Sequence, residues 1–338
     1  MTNNFFTITK DQSSMLKGIA ICFMLFLHLF NSLDASGSYT PLLNVRDLPF
    51  PYWLCRAMNP VAFYLLISGY GMYYTNLKKP FNHKSNLKRV LKLYVYWWIC
   101  LLCFVPLGVM LSPEHFTMDI STIAQNVSGF STTWYPQAWF LFPYILIVFS
   151  SKYVFWLIDK CGSFFSFVFF LLSYYAASYI ISRFHTQDTI LTNHLFPYLQ
   201  CLSAFSLGSI VCKLGSDPLI RWNKVQLTPW MGLIALASLV LFTCLVDFPL
   251  WVIIYVLIFV LIFSQINIGP KGRRFLVYIG NLSTCMWFVH AYFCYYIFHD
   301  FIYGFNYSIL IYIAEVLCSV LVSIPLNFII NRVNLNIK

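Results

Sequence analysis

Two histidines stand in segments otherwise suited to hydrocarbon. His28 lies in MLKGIAICFMLFLHLFNS (15–32) and His290 in NLSTCMWFVHAYF (281–293). Imidazole titrates near neutrality, so it is well suited to take a proton from a hydroxyl as that oxygen attacks a carbonyl. An ionisable group inside a membrane span is costly, and it generally faces the protein interior or a water-filled cavity. A plain hydrogen bond to a neighbouring helix would also satisfy such a ring. For His290 that plainer reading is the favoured one.

His28 has a partner on its own helix face. From Lys17 to His28 is eleven residues, which on an ideal α-helix is three turns plus about 20°, with a rise of about 16 Å. The two side chains therefore share a stripe. Met24 lies between them, and Asn31 follows three residues after His28 on the same face. One face thus carries a cation near one end, an apolar gap, and then an imidazole and an amide.

The elements that must hold this stripe are membrane helices. Of 338 residues, 60% are hydrophobic, 20% aromatic and only 9% charged, where a soluble domain has about 25% charged. The mean hydropathy is +0.73. A span needs about 20 mostly apolar residues. Charges, prolines and glycines divide the chain into ten such segments, approximately 18–33, 57–75, 93–111, 138–157, 162–182, 195–213, 228–246, 249–267, 275–298 and 308–330. The fold class expected is all-α, a polytopic integral membrane bundle of about ten helices in one domain, 1–338. The first segment reads as a retained helix, because Leu33-Asp34-Ala35 is a poor signal-cleavage site. A tight turn at Asp247-Phe248-Pro249 makes the seventh and eighth helices antiparallel neighbours.

Charge sets the orientation. Eighteen of the 21 Lys and Arg fall on one side of this arrangement, including Arg221, Lys224 and Lys338. The other side holds Arg46, Arg56 and Arg183, with the acids Asp34, Asp47, Glu114, Asp119, Asp188, Asp247 and Asp300. The positive-inside rule then makes both termini cytoplasmic. It also accounts for the net charge of +10, so no nucleic-acid partner is needed. The 11 cysteines are scattered through apolar runs. Cys100 and Cys103 have CxxC spacing but no second pair, so no metal is expected. Cys55, near a helix start, is the thiol to test for reactivity. Glu315 is a lone acid in the last helix. His83, His115, His185, His194 and His299 fall in loops or at helix ends and are given no role.

The order of motifs resembles the membrane-bound acyltransferase-3 family. LKGIAICFMLFLH is similar to its first-helix signature of a cation, Gly-Ile-Ala, an aliphatic run and His. NPVAFYLLISGYGMYYT is similar to its second-helix element at Ser68-Gly69-Tyr70. NLKRVLKLYVYWW resembles its basic segment at Lys88, Arg89 and Lys92, and AWFLFPYILI its helix start at Trp139. GNLSTCMWFVHAYF resembles its late Ser-x-x-x-Tyr-aliphatic-aliphatic-His element, with Trp287 in the aromatic place and His290 in the last. Lys17 stands where many members have arginine. The tail PLNFIINRV lacks the Glu-x-Pro ending that many members show, and nothing resembles the hydrolase-like domain that some members append.

The resemblance implies an O-acyltransferase that moves an acyl group, commonly acetyl, from cytoplasmic acyl-CoA to a hydroxyl of a surface polysaccharide or lipid-linked glycan. Its partners would be acetyl-CoA, the glycan acceptor and membrane lipids, in a bacterial inner membrane, and a homo-oligomer is compatible with it. On this reading His28 is the general base. Asn31, Ser68 or Tyr70 orient it or stabilise the oxyanion. Lys17, Lys88, Arg89 and Lys92 hold the phosphates of the donor. Trp134, Tyr135 and Trp139, with His290, meet the sugar, although an aromatic belt at the interface would use the same tryptophans. Three rival readings remain at this stage, one of them a non-catalytic sensor. A transporter or flippase of glycan intermediates would show paired broken helices in two related halves. A polytopic glycosyltransferase would use an acid in the first outer loop, for which Asp34 and Asp47 are available.

Overall fold

The computed structural model describes residues 6–33, 39–79, 82–184, 191–217, 220, 225–246, 248 and 250–335. The turn at Asp247–Pro249 therefore lies largely outside the described residues, as do Asp34, His185, Asp188, Arg221, Lys224 and Lys338. In chain order the helices are α1 (Lys10–Phe30), α2 (Phe50–Leu54), α3 (Pro60–Lys78), α4 (His83–Leu111), α5 (Ile120–Ser128), α6 (Leu141–Cys161), α7 (Ser163–Phe184), α8 (Phe196–Gly215), α9 (Pro229–Leu245), α10 (Trp251–Ser264), α11 (Pro270–Ala291), α12 (His299–Tyr303) and α13 (Ser308–Leu335). A two-residue hairpin pairs β1 (Asn44–Val45) with β2 (Leu48–Pro49) before α2.

Each of the ten expected segments overlaps one helix, but several boundaries move for local reasons. α1 begins eight residues before the apolar run, because a cap starts it. The Thr9 hydroxyl accepts from the Gln12 N–H (3.2 Å) and the Gln12 carboxamide accepts from the Thr9 N–H (2.9 Å). α4 likewise starts ten residues early, where the Asn82 side chain accepts from the Lys84 N–H (2.9 Å). The expected helix 275–298 is broken. α11 ends at Ala291, and a π-turn occupies Tyr292–Tyr296, closed by the Ile297 N–H on the Tyr292 carbonyl (2.9 Å). Such turns are frequent at functional sites, and this one re-aims Tyr295 and Tyr296.

Six helical segments among the described residues are long and apolar enough to cross a membrane: Lys10–Phe30, His83–Leu111, Pro136–Cys161, Ser163–Phe184, Thr192–Gly215 and Ser308–Leu335. α9 and α10 are shorter apolar helices. α3 and α11 do not reach that standard, because each carries polar and small residues along its length. Neighbouring helices cover them. Phe63, Leu66, Ile67 and Tyr70 of α3 are buried, as is every residue of α11 from Cys285 to Ala291. Large apolar side chains such as Leu102, Met110, Phe164, Phe165, Leu172 and Phe328 are exposed on the outside of the bundle, as a lipid-facing surface requires.

The bundle is drawn tight where helices cross at small residues. A Cβ at Gly69 of α3 would stand 1.9 Å from the Phe205 carbonyl oxygen of α8, so only glycine permits that crossing. The Ser209 hydroxyl donates to the Gly69 carbonyl there (3.2 Å). Ser68-Gly69-Tyr70 is therefore in part a packing element. α1 lies against α11 in the same way, and this contact brings the two histidines together.

Candidate active site

α1 runs unbroken from Lys10 to Phe30, so the stripe deduced from helix geometry is retained. Its residues line two cavities. One, of about 330 Å³, lies at the lysine-bearing end and is walled by Ser13, Lys17, Ser68, Arg89, Tyr144 and Ser283. The other, of about 310 Å³, lies further along α1 and is walled by His28, Gln137, Trp139, Gln200 and Ser203. Met24, Phe140 and Trp287 belong to both. These three side chains form a shared wall, the neck, with a pair of cations on one side and an imidazole on the other. Among the described residues no carboxylate lines the cationic cavity, which leaves it suited to an anion.

His28 and His290 are side by side, with ring centroids 5.0 Å apart and planes inclined by 38°. α11 and the segment before α6 fix His290. Its Nδ1 lies 2.9 Å from the Trp287 carbonyl and 3.0 Å from the Tyr135 hydroxyl. That hydroxyl donates to the Trp287 carbonyl (2.6 Å) and accepts from the Ala291 N–H (3.1 Å). Nδ1 is therefore assigned the proton, which leaves Nε2 as the basic nitrogen. Nε2 is buried and has no hydrogen-bond partner among the described residues. The Tyr295 hydroxyl, aimed by the π-turn, donates to the His28 carbonyl and lies 3.5 Å from His28 Nδ1. Gln137 accepts from the Tyr296 hydroxyl (2.8 Å) and its carbonyl accepts from the Trp287 indole (3.2 Å). Loop, π-turn and α11 are thereby tied into one frame around the imidazole pair.

The structure sorts the residues singled out in the sequence. His28, Lys17, Arg89, Ser68 and Trp139 line the cavities, and His290 backs His28. Ser68 lies in the cationic cavity, with its hydroxyl 3.2 Å from that of Tyr144. The other residues are elsewhere. Tyr70 is buried, and its hydroxyl accepts from the Ile8 N–H (3.0 Å), so it pins the N-terminal segment and does not attend His28. Asn31 is exposed and caps α1, its N–H donating to the Leu27 carbonyl (3.0 Å). The helix ends one residue earlier, so the stripe stops at His28. Lys88 and Lys92 are exposed and line none of these cavities, because Arg89 takes the inward side of α4. Trp134 is buried, and its indole donates to the Thr117 carbonyl (2.9 Å), so it offers no face to a ligand. Tyr135 is fully buried and serves His290. Cys55 is buried with its thiol on the Phe26 carbonyl (3.9 Å), a poor setting for reactivity. Glu315 is buried in α13, where Ser319 donates to it (3.0 Å), away from both cavities.

Sequence reasoning missed Gln137, Tyr295 and the neck residue Phe140. A signal existed for Trp287. Ser283, Trp287 and His290 are spaced four and three apart and so share a face of α11, the face turned to α1 and the cavities.

The buried imidazoles and the cationic cavity lie between the helices of a polytopic bundle whose helix lengths and composition are those of an integral membrane protein. The chain belongs to the acyltransferase-3 family, whose acyltransferase domain it matches over residues 13–332. It is therefore a membrane acyltransferase. No curated protein and no solved structure matches it.

Proposed function

We propose that the chain transfers an acyl group, acetyl by preference, from cytoplasmic acetyl-CoA to a hydroxyl of a cell-surface or lipid-linked glycan, across a bacterial plasma membrane. The observation that carries this reading is the pair of cavities meeting at Met24, Phe140 and Trp287. Both termini are taken as cytoplasmic from the lysine and arginine asymmetry, which makes the Lys17–Arg89 cavity the donor side. A further basin of about 870 Å³, lined by Lys79, Lys84 and Arg89, adjoins it through Arg89 and Met72. Its cations suit the nucleotide phosphates of CoA. The pantetheine arm then follows the α1 stripe, and the thioester reaches the neck.

The acceptor enters from the opposite end. His28 takes the proton of its hydroxyl as the oxygen attacks the thioester carbonyl carbon. The C–S bond breaks, the sulfur leaves as CoA thiolate and then takes a proton, and the new ester leaves on the acceptor side. His290, held by Tyr135, keeps the His28 ring in place and presents a basic nitrogen beside it. No metal takes part in this scheme.

The test uses purified protein in lipid nanodiscs with radiolabelled acetyl-CoA and a membrane glycan extract. The expected result is label in the glycan, and loss of at least about 10²-fold in rate for His28→Ala at unchanged thermal stability. Full activity in that variant would remove His28 as the base. An absence of transfer from any acyl-CoA would remove the reading altogether.

A further inference from the structure

A cavity larger than the one that holds His28 lies at the same end of the bundle. It has a volume of about 770 Å³ and lies between the 129–139 loop and the π-helical turn Leu191–Leu195. Trp139 lines both it and the His28 cavity, so the two adjoin at that ring. Its chemistry differs from that of the two cationic cavities at the opposite end. Gln125, Ser131, Thr132 and Asn193 supply amides and hydroxyls, and Trp139 and Phe130 supply half-exposed rings, 44% and 39% accessible. Among the described residues, no lysine, arginine or carboxylate lines it. His194 is also in the wall, and its Nδ1 is buried without a hydrogen-bond partner among the described residues.

This wall is built in advance. Asn126, fully buried in α5, gathers the loop. Its side chain donates to the Thr133 hydroxyl (2.8 Å) and accepts from the Trp134 N–H (3.1 Å), and its carbonyl accepts from the Trp97 indole (2.8 Å). The Trp134 indole anchors the same loop on Thr117. A preformed concavity of this size, with a few fixed polar groups and aromatic faces, has the general character of a small-molecule site.

We infer that this cavity is the acceptor subsite for an uncharged sugar, held there with a hydroxyl directed past Trp139 toward His28. The inference rests on the acyl-transfer reading above and narrows its acceptor. Amides and hydroxyls both donate and accept, as sugar hydroxyls do, and an aromatic face suits the apolar face of a pyranose. Among the described residues, a uronate, a sialic acid or a diphosphate would find no lysine or arginine here to pair with. Any lipid diphosphate that carries the glycan must therefore lie outside this cavity.

The experiment follows label from radiolabelled acetyl-CoA into glycans of membranes that overproduce the protein. Ser131→Trp fills the cavity and Asn193→Ala removes one amide. Each variant is also tested for binding of a non-hydrolysable acetyl-CoA analogue, which reports the fold and the donor side independently. The expected result is label on neutral sugar residues, a fall of about tenfold or more in glycan labelling for both variants, and donor binding equal to wild type. Butanol extraction separates lipid-linked from polymeric product, and neutral sugar in either fraction fits the subsite. Wild-type labelling in both variants, or label on acidic sugars, overturns the assignment while leaving acyl transfer intact. A wild-type protein that binds the analogue but labels no glycan overturns both.

Discussion

Gly280→Ala tests whether the site depends on the close contact of α1 and α11. A Cβ at Gly280 would stand 1.8 Å from the Ser14 carbonyl oxygen and 3.2 Å from the Ser14 Cα. Backbone offers no rotamer by which to escape, and a Cβ essentially never approaches another atom closer than 3.0 Å. The two helices must therefore part by about 1.2 Å. If they separate as rigid rods, His28 moves from His290 by that amount, starting from a centroid distance of 5.0 Å. If they tilt apart at one end, the donor cavity deforms, since Ser13, Lys17, Ser283 and Thr284 flank the contact. A misplacement of about 1 Å lowers a rate on the order of 10²-fold, and overpacking of this kind destabilises by about 1–3 kcal/mol. CoA release, followed with a thiol-reactive chromophore, and thermal unfolding in detergent measure the two effects. A variant with a rate within about twofold of wild type and an unchanged melting temperature would refute the reasoning, because the helices would then have slack that the 1.8 Å contact denies.

Three further outcomes are expected. Arg89→Ala should raise the KM for acetyl-CoA about tenfold with less effect on kcat, whereas Lys88→Ala and Lys92→Ala should leave KM within about twofold, because Arg89 alone of the three faces the donor cavity; steady-state kinetics separates them. Tyr135→Phe should destabilise by about 1–3 kcal/mol and slow turnover, since the Ala291 N–H loses its side-chain acceptor and His290 one of its partners; thermal unfolding and the thiol assay report both. Thr9→Ala should remove the capping box of α1 at a cost of about 1 kcal/mol and shift the unfolding midpoint down, with the donor KM responding more than transfer, because the frayed turn lies next to Ser13 and Lys17.

Much of the stripe along α1 was legible from local rules. Helical periodicity alone places Lys17, Met24 and His28 on one face, and the costs of burying charge turn that face inward. Apolar runs located the helices, because lipid demands them whatever their neighbours. The errors share one cause. Arg89, Lys88 and Lys92 look alike in sequence, and only the packing of α4 against its neighbours decides which one points at the cavity. Trp134 and Trp139 are five residues apart in one aromatic stretch, yet a bond to Thr117 buries the first and leaves the second half-exposed. Tyr70 was drawn to the Ile8 N–H, a partner 62 residues away.

By itself the sequence determined a polytopic helical bundle and a stripe with a cation at one end and an imidazole at the other, since both follow from interactions within a few residues of each other. Only the tertiary structure decided that His28 would meet His290, 262 residues away, that Met24, Phe140 and Trp287 would close a neck between two cavities, and that a π-turn would bring Tyr295 to the His28 carbonyl. Those contacts depend on how closely two helices can approach, and that distance is set by the glycine at each crossing together with the residue opposite it.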